Sequence, residues 1–130
     1  MKRELIEKII AAALSEADNL KVAVTVSIVD LGGHLVALQR TEGCSFFGIE
    51  SSQKKAVTAS QFKAPTHVLA DIGQKVPELQ RAMDKDTKVL TLAGGFPIVQ
   101  NGAIVGGLGI SGGDFVQDKT IGEKAMAAIV

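Results

Sequence analysis

The sequence contains no tryptophan and no tyrosine, and its only cysteine is Cys44. A single cysteine cannot form a disulfide within one chain, which is typical of a reducing compartment, and it excludes sites built from several cysteines. No stretch of about 18 uncharged apolar residues is present, so we expect no membrane span. Glu4, Glu7 and Lys8 interrupt the first apolar segment, which therefore does not fit a signal peptide. These absences predict a cytoplasmic protein.

The chain also lacks an excess of either charge. Fourteen basic and fourteen acidic residues cancel, and the pI is about 6.7. Nucleic-acid binding requires a concentration of positive charge, so we expect no nucleic-acid partner. Hydrophobic residues make up 46% of the chain and the mean hydropathy is +0.25, which is apolar enough to predict burial by self-association. A length of 130 residues predicts one domain over 1–130.

The first half of the chain alternates between helical and extended periodicity. Apolar residues at helical spacing from Leu5 to Ala17 predict an amphipathic helix. Alternating residues from Val22 to Ile28 predict a strand, and Asp30-Leu31-Gly32-Gly33 predicts a turn to a returning strand over 34–40. A second helix is predicted from Ser45 to Phe62, and Pro65 shortly after it marks its end.

The second half predicts one or two short helices from Thr66 to Met83, then three short strands among the apolar residues from Val89 to Val105. Asn101-Gly102 is a strong signal for a two-residue hairpin turn. Asp118 to Val130 predicts a final helix. Because the five strands are grouped instead of alternating with helices, we predict an α+β fold with an antiparallel sheet.

Eight of the fourteen glycines lie between Gly94 and Gly113. The segment formally matches the dinucleotide-binding fingerprint, but only 18 residues follow Gly112, too few for the required βαβ unit. It also matches the Gly-x-Ser-x-Gly motif of hydrolases around Ser111, yet no histidine follows to complete that triad. Two interpretations remain: the glycines permit close packing, or free amides near Gly112 and Gly113 hold an anion.

The candidate metal ligands are few. His34 begins the returning strand, and a lone histidine there is either hydrogen-bonded for structure or a ligand. His67 follows Pro65-Thr66 at a helix start and is expected to be solvated. Cys44 lies in a loop and is either a small buried residue or a soft ligand. Two distant histidines are a weak metal signal by themselves.

Three groups of motifs resemble the GlcG/HbpS family across nearly the whole chain. Val29-Asp30 with Gly33-His34-Leu35-Val36-Ala37 resembles its Asp-x-x-Gly-His-Leu-x-Ala signature. Lys55-Ala56, Thr58-Ala59 and Phe62 resemble its Lys-Ala-x-Thr-Ala-x-x-Phe helix. The last part of the chain resembles the family's Gly-Gly-x-Pro…Gly…Val-Gly-Gly-x-Gly-Val-Ser-Gly…Gln-Asp ending. The matching motifs are Gly94-Gly95-Phe96-Pro97-Ile98, Gly102, 105–113 and Gln117-Asp118. The chain departs from the family at Thr41-Glu42-Gly43-Cys44, where Met-Asp-Gly-Ala is usual.

The resemblance implies a profilin-like fold, with a five-stranded antiparallel sheet covered by helices and subunits that associate into dimers or rings. Family members include haem-binding accessory proteins, proteins encoded with glycolate or glycerol/diol metabolism, and the C-terminal domain of PduO-type corrinoid adenosyltransferases. Transferase activity is not carried over, because the adenosyltransferase domain of those proteins is missing from this sequence.

We therefore expect a self-associating binder of a tetrapyrrole, with haem first and a corrinoid second, and no catalytic residues are assigned. His34 is the expected metal ligand, and Cys44 is a second contact if its loop folds back toward the hairpin. The other expected cofactor-binding residues are Lys55, Gly94, Gly95, Ser111 and Gly112. The alternatives are an enzyme or accessory subunit for a small hydroxy or oxo metabolite, with Lys55, Asp118 and Ser111 in its pocket, and a purely structural subunit.

Overall fold

The structure, a computed structural model covering residues 1–130, contains five helices and four strands. In chain order they are α1 (Arg3–Leu20), β1 (Thr25–Asp30), β2 (Leu35–Arg40), α2 (Phe47–Phe62), α3 (Thr66–Lys75), α4 (Pro77–Lys85), β3 (Gly95–Gln100), β4 (Ala103–Ser111) and α5 (Phe115–Ala127). The strands form one antiparallel sheet in the order β2-β1-β4-β3. The predicted α+β class is confirmed.

One face of the sheet carries the hydrophobic core. Side chains of alternate residues in a strand point to the same face, and this face holds Val26 and Ile28 of β1 and Leu108 and Ile110 of β4. Helices α1 and α5 cover it, because both present an apolar stripe at helical spacing. The buried residues that the two helices contribute are Leu5, Ile9, Ala13, Ala17, Ile121 and Ala125.

Helix α2 covers the opposite face at unusually short range. There β4 presents Gly107 and Gly109, and a Cβ added at either glycine would overlap a backbone carbonyl of α2, that of Ala56 or of Ser52 respectively. The helix backbone therefore lies directly on the strand backbone, without an intervening layer of side chains. This confirms the close-packing interpretation of these two glycines.

The sheet has four strands, so the expectation of five is wrong. The missing strand was predicted around Val89 to Leu92, which instead forms a loop between α4 and β3. Side chains of other elements bind this loop: Leu90 N donates to Thr58 Oγ1 at 2.9 Å, and Gln80 Nε2 donates to Thr91 Oγ1 at 3.1 Å. An apolar, β-branched composition favours a strand, but no neighbouring strand pairs with this segment.

Both predicted hairpins are present. In the β3–β4 turn, Asn101 and Gly102 have φ of 51° and 77°, as a type I′ turn requires. In the β1–β2 turn, Asp30 Oδ1 accepts hydrogen bonds from the backbone N–H groups of Gly32 and His34, both at 2.9 Å. That carboxylate thus fixes the turn locally, a usual role of aspartate.

The two edges of the sheet differ in composition. Edge strand β3 contains Pro97, opposite Gly107 of β4, and its register shifts between Ile98 and Val99. Edge strand β2 contains no proline. Of the five helices, none combines the length and the apolar character needed to cross a bilayer.

Candidate functional site

Six of the expected site residues lie near one another, between α2 and the end of β4. They are Cys44, Lys55, Gly94, Gly95, Ser111 and Gly112. Lys55 is their centre: its Nζ donates to the carbonyl of Ile110 at 2.8 Å and to Asp118 Oδ2 at 3.2 Å. The other carboxylate oxygen, Asp118 Oδ1, accepts the backbone N–H of Gly113 at 2.9 Å. The interpretation of this loop as an anion site is therefore not supported at Gly113, because a carboxylate of the chain already occupies its amide.

The Lys55–Asp118 ion pair is closed to solvent. The two side chains are 3% and 4% exposed. Burial lowers the pKa of Lys55 below its usual range and raises the pKa of Asp118, while the opposite charge of the partner counteracts each shift. The pair joins α2, β4 and the first turn of α5, so its evident role is to hold three elements together.

Gly94 and Gly95 make room for this ion pair and its helix. Gly94 has φ of 122°, and a Cβ there would lie 3.1 Å from Lys55 Nζ and would overlap the carbonyl oxygen of Ile110. The backbone N–H of Gly95 donates to Thr66 Oγ1 at 2.8 Å. Both glycines serve packing inside the protein and do not form an open wall for a flat ligand.

Hydroxyl pairs continue the buried polar contact along α2. Ser111 Oγ lies 2.5 Å from Ser51 Oγ, and Ser27 Oγ lies 2.7 Å from Ser52 Oγ. Sequence analysis missed Ser51, Ser52 and Ser27. Their signal was the small polar side chain at positions that face the core, since Ser51, Ser52 and Lys55 share the buried side of α2.

Cys44 is buried and engaged, with its Sγ 3.3 Å from Thr25 Oγ1. A Cβ at Gly112 would lie 3.2 Å from that sulfur. His34 and Cys44 lie beyond opposite ends of β2 (Leu35–Arg40), which corresponds to about 17 Å of strand at about 3.4 Å per residue. The expectation that the Cys44 loop folds back toward His34 is therefore wrong, because the strand between them is extended.

His34 is the most accessible candidate ligand. Its side chain is 81% exposed, and its Nδ1 lies 3.2 Å from Asp30 Oδ1, leaving Nε2 with no partner within the chain. The backbone N–H of His34, together with the nearby imidazole, lowers the pKa of Asp30. A carboxylate on one ring nitrogen orients the other toward a metal and increases its basicity, as is common for metal-binding histidines.

Exposed apolar side chains flank His34 in the sequence. Leu31, Leu35 and Val36 are 52%, 49% and 43% exposed. Gln61 Nε2, near the end of α2, donates to the carbonyl of Leu31 at 2.9 Å and so ties the turn to the helix. We call the surface formed by Leu31, His34, Leu35 and Val36 the turn surface. It combines an exposed imidazole with exposed apolar groups.

His67 is not solvated as expected but half-buried against Phe96, with the ring centroids 5.8 Å apart. Its Nδ1 is buried without a hydrogen-bond partner. Burial and the nearby Lys119 lower the pKa of this imidazole. Its second position in α3 places it against β3 and α5, away from the turn surface.

A second apolar surface lies at the other end of the sheet. Four of the five phenylalanines are exposed, and Phe46, Phe47 and Phe115 are the most so, at 78%, 62% and 69%. Val116 is 59% exposed. We call these four residues the phenylalanine surface: Phe46 and Phe47 lie at the start of α2, and Phe115 and Val116 at the start of α5. The Ser51–Ser111 contact joins α2 to the end of β4, four residues before α5 begins.

Known proteins resemble this chain over almost its whole length. The family model of the haem-degrading protein HbpS-like matches residues 1–127. The corrinoid adenosyltransferase PduO of Salmonella typhimurium is 40% identical over 119 residues, 91% of this chain, but the match covers only 35% of that protein. The chain thus spans about a third of this relative. Protein GlcG of Escherichia coli (strain K12) is 32% identical over 111 residues, covering 85% of this chain and 81% of GlcG.

A crystal structure of a PduOC:haem complex superposes with a TM-score of 0.90 at 36% identity, covering 99% of this chain and 94% of that one. The motif resemblance is thereby confirmed, and the chain belongs to the HbpS-like family.

Proposed function

We propose that the protein binds haem at the turn surface, where His34 Nε2 would hold the iron. The observation that carries the proposal is the geometry of His34. Its imidazole is 81% exposed, is held at Nδ1 by Asp30, and is flanked in the sequence by exposed apolar side chains. Haem binding uses an apolar contact surface and a side-chain donor for the iron, which is commonly a histidine. When bound, it supplies an iron centre whose chemistry belongs to the cofactor.

The remaining donors fit an iron ligand less well. Cys44 and Met83 are 8% and 3% exposed, and Cys44 is hydrogen-bonded to a neighbouring hydroxyl. His67 presents a buried Nδ1 and packs on Phe96. Since a residue that would hold the iron must be accessible, His34 is the favoured residue.

The relatives support haem over the alternatives. The similar PduOC crystal structure is that of a complex with haem, and the family model describes a haem-degrading protein. A corrinoid remains the second choice of ligand. An enzyme built on Lys55, Asp118 and Ser111 is disfavoured, because all three side chains are buried and already bonded: Lys55 and Asp118 to each other, and Ser111 to the hydroxyl of Ser51.

A haem titration followed near 400 nm, where the protein itself does not absorb, tests the proposal. Because the chain has no tryptophan or tyrosine, its near-ultraviolet absorbance is also very low, so a bound chromophore stands out. We expect saturable binding by the parent and an affinity at least about tenfold lower in His34→Ala, the loss of one coordination bond and its orientation by Asp30. His67→Ala is the matched control and should bind as the parent does. No saturable change with the parent, or equal affinities for all three proteins, contradicts the proposal.

We also infer that the chain self-associates through the phenylalanine surface. Exposed aromatic clusters of this kind are typical of interfaces. A second copy is the occupant that the charge favours, because a chain with no net charge does not repel itself at long range.

Light scattering at micromolar concentration should therefore return a multiple of 13.6 kDa. Phe115→Glu, which places a charge in the apolar contact, should lower the mass toward that of one chain. Phe62 is another exposed phenylalanine, 42% exposed, that lies outside this surface. Phe62→Glu should therefore have the same mass in solution as the parent. A parent that already scatters as one chain refutes the inference.

A further inference from the structure

A groove runs along the exposed side of α2, between that helix and the segment that follows α4. It consists of two adjoining clefts of about 310 and 250 Å³ that share Glu50, Lys54 and Thr87 as lining residues. The groove is separate from the turn surface, and no residue discussed above as a haem contact lines it. Its combined volume suits a molecule of a few heavy atoms.

Charges of opposite sign are separated along the groove. The larger cleft is lined by Asp84 and Asp86, with Phe47 and Val89 as apolar contacts. The smaller cleft lacks both aspartates and is lined instead by Lys88. One half is therefore acidic, the other half is basic, and Lys54 and Glu50 lie at the junction that both clefts share.

None of these five charged side chains forms an ion pair within the protein. The four ion pairs of the chain involve other residues altogether, Arg3–Glu7, His34–Asp30, Lys55–Asp118 and Arg81–Glu78. Charges of both signs are thus presented to the groove and remain available to a ligand.

Hydrogen bonds hold the wall opposite α2 in place. Asp86 Oδ1 accepts the backbone N–H of Lys88 at 2.8 Å, and Asp84 Oδ1 accepts Gln80 Nε2 at 2.8 Å. The backbone N–H of Leu90 donates to Thr58 of α2 at 2.9 Å. A groove whose wall is fixed before binding loses less conformational entropy when a ligand enters.

We propose that this groove binds a small zwitterion of the amino-acid class. The ammonium group lies between Asp84 and Asp86, in the half of the groove that these two carboxylates line. The carboxylate lies toward Lys54 and Lys88. A ligand with one charge satisfies only half of the groove, so the pairing of the two charges is the feature that selects the ligand.

The probe is 4-aminobutanoate, titrated into the isotopically labelled protein while amide chemical shifts are followed. Three ligands serve as controls: butylamine carries only the positive charge, butanoate carries only the negative charge, and 1,4-butanediol carries neither. We expect saturable shifts at Glu50, Thr87 and Lys88 with 4-aminobutanoate, and affinities at least about tenfold lower for each control. No saturation at 10 mM, equal binding of the diol, or shifts located elsewhere overturns the proposal.

Two crossed substitutions assign the halves of the groove, and all the residues involved are exposed, so the fold should tolerate them. Asp84→Asn should weaken 4-aminobutanoate and butylamine about tenfold and leave butanoate unchanged. Lys88→Gln should do the reverse, weakening 4-aminobutanoate and butanoate. Glu123→Gln and Lys8→Gln are matched controls outside the groove. Equal losses in the controls, or the same loss for all ligands in each variant, refute the assignment.

Discussion

Replacing Lys55 with methionine should lower the free energy of unfolding by about 3–5 kcal/mol, because it leaves the buried carboxylate of Asp118 without its counter-ion. Both side chains are almost fully buried, at 3% and 4% exposure, so water cannot take the place of the lost ammonium group. The carbonyl of Ile110 loses its donor in the same variant. Urea denaturation of the parent and of Lys55→Met measures the difference.

The double variant Lys55→Met/Asp118→Asn separates the loss of a contact from the burial of an unpaired charge. The asparagine oxygen can still accept the Gly113 N–H bond that Asp118 Oδ1 accepts at 2.9 Å, and no net charge is left inside. We expect it to recover most of the lost stability, since a buried ion pair contributes little net stability compared with neutral side chains. A double variant as unstable as Lys55→Met contradicts this explanation.

The stability of the single variant Lys55→Met should depend on pH in a defined direction. Burial raises the pKa of Asp118, so the folded state holds a proton more tightly than the unfolded state does. The stability from such a group is complete below its unfolded pKa of 3.8 and is lost as pH rises through the folded pKa. Without Lys55 that pKa rises further. Lys55→Met should therefore gain stability relative to the parent as pH falls through the raised pKa toward 3.8, which urea denaturation at a series of pH values measures.

Replacing Gly109 with alanine should destabilise the protein by about 3 kcal/mol, because one added methyl group forces α2 away from the sheet. The new Cβ would overlap the carbonyl oxygen of Ser52 and would lie 2.8 Å from the backbone nitrogen of Ala56. Both contacts are helix backbone, which cannot move aside as a flexible side chain can. The midpoint of thermal unfolding, monitored by far-ultraviolet circular dichroism, reports the change.

Gly102→Val is the comparison that isolates packing from backbone conformation. Gly102 has φ of 77°, and a Cβ there would meet nothing within 4 Å. The cost should be the conformational strain alone, about 1–2 kcal/mol. If Gly109→Ala proves milder than Gly102→Val, the close approach of α2 to β4 is less rigid than its geometry indicates.

Much of the fold could be predicted because local signals agreed with tertiary packing. The turn at Asn101-Gly102 requires positive φ at both positions, and few sequences other than this pair provide it. The first hairpin was equally well marked by Asp30 and the glycines after it. Helix α1 followed from its apolar spacing alone.

The fifth strand was predicted where none exists because strand propensity says nothing about partners. Val89 and Leu90 favour extended backbone, but a strand needs a neighbour, and Thr58 of α2 binds this segment instead. That contact joins residues 32 positions apart, and no periodicity in the sequence reveals it.

The site was only partly predictable for a related reason. Lys55, Asp118 and Ser111 were named from motifs, and the structure does gather them, yet their burial and their serine partners depend on how α2 lies on the sheet. The pairing of His34 with Cys44 failed because the loop of Cys44 was expected to fold back toward the start of the hairpin. The extended strand β2 keeps the two residues apart at its opposite ends.

The edges of the sheet have a consequence for how copies of this chain can add to one another. The register is irregular at both edges, between Ile98 and Val99 at β3 and opposite Ile28 and Val29 at β2. Only β3 also contains a proline: Pro97 provides no N–H group, so β3 is a poor template for an incoming strand. Strand β2 contains no proline and keeps every N–H group. If only one edge of the sheet accepts a further strand, two molecules can join at that edge, and no third molecule can add. Fibre growth needs two receptive edges on every molecule. Pro97 thus limits any edge-to-edge addition to a closed pair.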